Sequence, residues 1–325
     1  MRPTAKTWAK HIGLLFIALF TVTLAGVLEP FGIIPIFPNV NPQNWTETFQ
    51  FFSSFPQHYL QLVFSTIYLL FTDFAVLKYG LQFSISLLVI LTAHESGHYV
   101  ACRFYGVDAT LPYFLPLPPL IGPAGTFGAF IKILSPLPSR RATFDIGVAG
   151  PIAGFIALIP VLIIGLLTIE QISPEKIADA HGGLYFSDPL LTQLLARLLG
   201  VNLTLTTFNP FLAATWIGLL VTSLNLIPSG QLDGGHAIYA VFGEKIHRWT
   251  GRIAFIAMAA LSVLGFIFYN SPSGLLFAIL LAVMMRIHHP EPLDDTPLNP
   301  ARIIVAILTL LIFILCFVPF PIQIK

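Results

Sequence analysis

Three residues able to bind a metal or move a proton fall within five positions. They are His94, Glu95 and His98, in Leu91-Thr-Ala-His-Glu-Ser-Gly-His-Tyr-Val100. They close an apolar run, so the segment reads as a helix. On a helix, positions i and i+4 share one face, and both imidazoles reach a single ion. In a His-Glu-x-x-His pattern that ion is zinc, and the carboxylate beside the first histidine takes a proton from water. Gly97 strips the same helix of a side chain and lets a neighbour come close. The bare pattern arises by chance in many proteins, and a polar helix end at an interface is the competing reading. Against it stands a cost of a few kcal/mol for each charged group at mid-depth in a membrane.

A catalytic zinc takes three protein ligands and keeps a fourth position open. The third candidate is Asp233, in Asn225-Leu-Ile-Pro-Ser-Gly-Gln-Leu-Asp-Gly-Gly-His236. This segment ends another apolar run on the same membrane side as the first motif. Pro228, Gly230, Gly234 and Gly235 break the helix there and let backbone approach a metal. A solvated Asp in a Gly-rich loop is the alternative. His236 is a rival ligand, and Glu170, Glu175 and Glu244 are the carboxylates that a different zinc site would draw on.

The elements that must position these groups follow from composition. The chain has 325 residues, 56% of them hydrophobic and only 10% charged. A soluble domain carries about 25% charged residues. The expected fold is therefore all-α and polytopic in a lipid bilayer, with about seven transmembrane helices. Apolar windows place them near 12–28, 80–101, 144–168, 209–228, 253–269, 274–287 and 301–319, the sixth being short. The first is read as an uncleaved span rather than a signal peptide, because its apolar stretch is long and no small-x-small site follows. With the amino terminus inside, every Lys and Arg of the 16 except Lys78, Lys176, Arg197 and Lys325 faces the cytoplasm. That bias places 58–77, apolar but containing His58 and Asp73, outside or on the outer interface. Asp145 is expected to cap the third span, and Gly147, Gly150 and Gly154 to serve helix packing.

Residues 107–141 read as a cytoplasmic loop and hairpin, with a short re-entrant segment near 110–135. Within it Gly125 to Ile133 alternates small and apolar residues and could offer a strand edge to an unwound peptide. Leu190 to Leu199 is expected to lie on the outer interface. His288 and His289 read as interfacial and not as a second metal site. Cys102 and Cys316 have no disulfide or metal spacing, and a net charge of +1 gives no reason to expect nucleic acid. Three parts are expected: 1–79, a first span with an outer segment; 80–235, a membrane core of three spans; and 236–325, the C-terminal spans.

The two motifs together resemble those of the site-2 protease family of intramembrane metalloproteases. That family pairs a His-Glu-x-x-His span with a later Asn-x-x-Pro-x-x-x-Leu-Asp-Gly-Gly segment. A closer resemblance, over roughly 80 to 305, is to the branch typified by plant chloroplast EGY proteins and their bacterial relatives. It rests on Gly106-Val-Asp108, Leu111-Pro-Tyr-Phe114, Gly125-Thr-Phe-Gly-Ala129, Arg140-Arg-Ala-x-Phe-Asp145 and Ala149-Gly-Pro-x-Ala-Gly154. The late His289-Pro290, Leu293-Asp-Asp295 and Pro297-Leu-Asn-Pro300 continue it. Ser96 departs from the usual apolar residue, and no stretch is long enough for an inserted PDZ domain.

The resemblance implies one zinc per chain held by His94, His98 and Asp233, with Glu95 as general base. Asn225 is implied as a donor to the scissile peptide or the oxyanion; helix capping or an interhelical hydrogen bond is its other reading. The implied substrates are transmembrane proteins, such as membrane-tethered regulators or signal-peptide remnants, cut by regulated intramembrane proteolysis. The expected location is a bacterial cytoplasmic membrane, multi-pass, with the amino terminus in the cytoplasm. A non-catalytic scaffold would not need Glu95, and a metal transporter would carry more intramembrane acids and histidines along a path.

Overall fold

The computed structural model describes residues 3–36, 44–121, 123–170, 184–205, 208–287 and 289–324. Its ten helices, among the described residues, are α1 (Ala5–Val27), α2 (Trp45–Thr72), α3 (Phe74–Phe104), α4 (Arg140–Leu167), α5 (Leu190–Leu198), α6 (Pro210–Asn225), α7 (Asp233–Phe242), α8 (Glu244–Tyr269), α9 (Ser273–Met284) and α10 (Pro300–Cys316). Of these α1, α3, α4 and α8 are long and apolar enough to cross a membrane, while α6, α9 and α10 are shorter apolar helices. The 12 residues of α9 make about 18 Å of helix, well short of a hydrocarbon core of about 30 Å.

Local caps set several boundaries. The Asp73 carboxylate accepts from the Ala75 N–H at 2.8 Å and starts α3 at Phe74, upstream of the span start expected at 80. The same Asp73 separates α3 from α2, so most of the segment 58–77 is the second half of α2. That helix buries Thr66 and Leu70 and leaves Trp45, Phe49, Phe52, Phe64 and Phe71 exposed. Asp145 does not cap α4. Ser139 lies in extended backbone just before the helix, and its hydroxyl accepts from the Ala142 N–H at 3.2 Å. Asp145 lies inside the helix and takes a charged partner instead. Arg302 of α10 donates to it at 2.9 and 2.6 Å, and the Tyr105 hydroxyl donates to the same carboxylate.

The fold is not wholly helical. Between α3 and α4 a hairpin pairs β1 (Tyr113–Pro116) with β2 (Thr126–Phe130), antiparallel, with Tyr113 opposite Phe130 and Phe114 opposite Ala129. It lies along α1. Near its base the His11 ring N–H donates to the Pro112 carbonyl at 2.8 Å. At its tip, a Cβ on Gly125 would come within 2.2 Å of the Thr21 carbonyl. Thr21 is ten residues from His11, about 15 Å along a helix, so the hairpin penetrates well into the bundle. Phe114 and Ala124 are buried there with Ala18, Val22, Phe83 and Leu87.

Polar links sort the helix ends into two faces. At one face Arg302 meets Asp145, the Arg140 N–H donates to the Asp294 carbonyl, and the Leu293 N–H to the Leu137 carbonyl. At the other, Asn209 donates to the Gly165 carbonyl and the Ile324 N–H to the Asn270 carbonyl. There β3 (Leu184–Phe186) also pairs with β4 (Ile322–Ile324), and α5 packs Leu191 and Ala196 on Leu158, Leu162 and Cys316.

Candidate metal centre

The site begins with what α4 omits. Gly147, Gly150 and Gly154 line one face of that helix, three and four residues apart. A Cβ on Gly150 would lie 2.1 Å from His98 Nε2, one on Gly154 3.1 Å from His94 Cβ, and one on Gly147 2.7 Å from His236 Cβ. These glycines clear space for three imidazoles, a more specific task than the packing expected of them. On the facing helix a Cβ on Gly97 would come within 2.3 Å of the Ala149 carbonyl oxygen, so α3 and α4 approach backbone to backbone beside the motif. His94, Glu95 and His98 are buried at 4%, 7% and 6% exposure.

The third group arrives by a sharp reversal. Helix α6 ends at Asn225, the chain turns, and α7 begins at Asp233. Gly230 adopts φ +55°, a left-handed conformation that glycine takes without strain. A Cβ on Gly234 would strike the Leu226 carbonyl oxygen at 2.0 Å, so only glycine allows the turn to fold this tightly on α7. The result places Asp233 Oδ2 3.2 Å from His94 Nε2 and 3.4 Å from His98 Nε2. The two Nε2 atoms lie 3.1 Å apart.

These distances fit a zinc ion. Two ligands at about 2.0–2.1 Å from a tetrahedral centre stand about 3.3–3.4 Å apart, and all three edges come within a few tenths of an ångström of that. The hydrogen positions fit as well. His98 Nδ1 lies 2.7 Å from the Ile146 carbonyl oxygen, which can only accept, so Nδ1 carries the proton. In the neutral ring Nε2 is then a bare lone pair aimed at the centre. Lone pairs and a carboxylate oxygen this close repel unless a cation lies among them. Among the described residues no other group of three such donors converges in this way.

Two more groups from the motifs border the triangle. Glu95 Oε1 is 4.0 Å from His94 Nε2, and its carboxylate is hydrogen-bonded to the backbone of Ile131, directly after β2. Asn225 Nδ2 is 3.4 Å from His94 Nε2. The rival carboxylates are elsewhere. Glu170 is exposed beyond the far end of α4, Glu244 is exposed and pairs with Arg248 at 3.6 Å, and Glu175 lies outside the described residues. His236 turns from the triangle to His289, with Nδ1 and Nε2 2.7 Å apart. His289 is therefore not merely interfacial: its ring also stacks on Tyr239 at 4.1 Å. His288 lies outside the described residues. Sequence reasoning missed the Ile146 carbonyl and the connector that carries His289. The His289-Pro290 motif was the only visible signal for the second.

Comparison with known proteins gives the same region. The family model described as Peptidase family M50 matches residues 82–266, which include all five groups around the centre. The chain is 28% identical over 257 residues to the Oryza sativa subsp. indica protein named "Probable zinc metalloprotease EGY2, chloroplastic", covering 77% of the chain and 45% of that protein. It is 30% identical over 220 residues to "Probable zinc metalloprotease EGY1, chloroplastic" of Arabidopsis thaliana, covering 66% and 38%. With the Arabidopsis thaliana protein named EGY2 it shares 31% over 202 residues, 60% and 34% of the two chains. The chain thus spans less than half the length of these relatives.

Proposed function

The chain belongs to peptidase family M50, and from that premise we propose that it is an intramembrane zinc metalloprotease hydrolysing peptide bonds in transmembrane segments of other proteins. The observation that carries this reading is the convergence of His94, His98 and Asp233 at tetrahedral spacing, with Glu95 and Asn225 beside them. Zinc held there supplies Lewis acidity, polarising a carbonyl and bringing the pKa of a water toward about 7. Glu95 accepts the proton of the attacking water and returns it to the departing amine. The Asn225 amide donates to the carbonyl oxygen as negative charge develops on it. Burial of His94, Glu95 and His98, with Asp233 and Asn225 half-buried, limits the competition of bulk water for their hydrogen bonds. The test is zinc content together with cleavage of a transmembrane model substrate. The wild type is expected to hold one zinc and cleave, and Asp233→Ala to lose both. A wild type with no zinc, or Asp233→Ala with zinc and activity intact, would overturn the assignment.

A transmembrane helix must unwind before it is cut, because its carbonyls are already bonded. Strand β2 lies at the edge of its two-stranded sheet, and the residue after it holds Glu95. A substrate strand added along β2 gains backbone hydrogen bonds and lies in register with the base. Phe127 is 71% exposed on β2 and marks that edge. Cross-linking from Phe127→Cys to cysteines scanned through the substrate is expected to repeat every second residue. A repeat near 3.6, or none, would sink strand addition.

The face carrying Arg140, Arg302 and the start of α8 is assigned to the cytoplasm, since the basic residues concentrate there. On this reading the amino terminus is cytoplasmic and the membrane a bacterial cytoplasmic membrane. Membrane-tethered regulators and signal-peptide remnants are the substrate types that suit a centre reached from within the bilayer.

A further inference from the structure

Asp233 sits on the first turn of a helix of only 10 residues, a length that is not stable in isolation. Its start carries two glycines, which weaken it further. The position of this metal ligand therefore depends on what fixes α7 from outside. The connector 289–299 between α9 and α10 holds one end of α7 directly and the other through Arg140 at the start of α4.

At the first end, His289 meets His236 on the turn after Asp233, with 2.7 Å between Nε2 and Nδ1. The direction of that bond is set by His289. Its Nδ1 lies 2.8 Å from the Pro290 carbonyl oxygen and so carries a proton. Burial beside His236 and His247 pushes the His289 pKa down to about 3, so the ring is neutral and Nε2 accepts from the His236 N–H. The ring is also wedged against Tyr239 at 4.1 Å and His247 at 5.1 Å. At the other end, Arg140 donates to the Ala240 and Tyr239 carbonyls at 3.1 and 3.4 Å, where the helix leaves acceptors unpaired and the dipole favours a cation. Arg140 is in turn held by the connector: its N–H donates to the Asp294 carbonyl at 3.0 Å, and its guanidinium lies 3.4 Å from the Asp295 carboxylate.

We propose that the connector 289–299 acts with Arg140 of α4 as a clamp, in which the positioning residues His289 and Arg140 hold α7 at its two ends and so set Asp233 against His94 and His98. This rests on the reading of those three residues as the metal centre. Losing such an outer partner of a metal ligand typically weakens affinity 10–100-fold. Here the partner acts through one helix turn.

The experiment is zinc affinity of the full chain by chelator competition, with amide exchange in α7. His289→Leu is expected to weaken zinc at least about tenfold and to speed exchange in 233–242 but not in α3. It is also expected to lower kcat while leaving KM unchanged. His289→Gln, whose side-chain oxygen can still accept from His236, is expected to restore affinity and exchange. Affinity within twofold of wild type in His289→Leu, or no rescue by Gln, would overturn the clamp. If His289→Leu does not fold, Arg140→Gln carries the test, with weakened zinc expected and unchanged zinc fatal to the idea. A wild type that binds no zinc would count against the metal centre itself. Exchange in α7 would then still report whether the connector holds that helix.

Discussion

Glu95→Gln is expected to keep one zinc per chain and to lose cleavage by about 10²–10⁴-fold, the range for removing a positioned general base. The substitution preserves size and leaves a side-chain oxygen for the Ile131 backbone contact. His94, His98 and Asp233 are untouched, so their mutual spacing of 3.1–3.4 Å has no reason to change. What disappears is the one group bordering the triangle that can take a proton from water and give it to an amine. Asn225 cannot substitute, because its amide does not titrate. The measurement is zinc content and single-turnover cleavage on the same preparation. Loss of zinc in Glu95→Gln would make Glu95 part of the ligand set. A rate within a few-fold of wild type would remove it from the chemistry.

Gly150→Ala is expected to weaken zinc binding by about two orders of magnitude, and cleavage with it. The new Cβ would fall 2.1 Å from His98 Nε2 and 2.4–2.5 Å from its Cδ2 and Cε1. No flexible side-chain end is available to yield, since the ring is anchored at Nδ1 by the Ile146 carbonyl of the same helix. Either the imidazole leaves the position that faces the metal or α4 shifts outward. Overpacking of this kind costs about 1–3 kcal/mol when the surroundings yield, and a two-decade loss of affinity is about 2.7 kcal/mol. Gly13→Ala, at a position with nothing within 4 Å, is the matched control and is expected to change neither quantity. Chelator competition on both variants checks this. Unchanged affinity in Gly150→Ala would mean that α4 does not set the His98 position.

Much of the centre was legible in the chain because its chemistry is local. His94, Glu95 and His98 are spaced by the helix period, and Asp233 follows a run of Pro and Gly that announces a tight turn. The hairpin between α3 and α4 was legible for a similar reason: Pro- and Gly-rich sequence between two apolar runs interrupts the helices and favours a turn. The errors arose where a residue's partner is far away in sequence. Asp145 looks like a helix cap from its neighbours alone, yet its partner is Arg302, at the start of the last helix. Likewise the start of α3 moved to Phe74 because Asp73, which looked like a blemish in an apolar window, is a cap.

The sequence by itself determined the membrane class, the ligand types and the order of the two motifs, since composition, period and spacing are properties of neighbouring residues. Only the tertiary structure decided that the Gly147, Gly150 and Gly154 face makes room for imidazoles, and that the Ile146 carbonyl fixes the His98 tautomer. It alone brought His289 to His236 across 53 positions. The reason is physical: a hydrogen bond or a cleared volume depends on which helix lies opposite, and no local pattern along the chain encodes that choice.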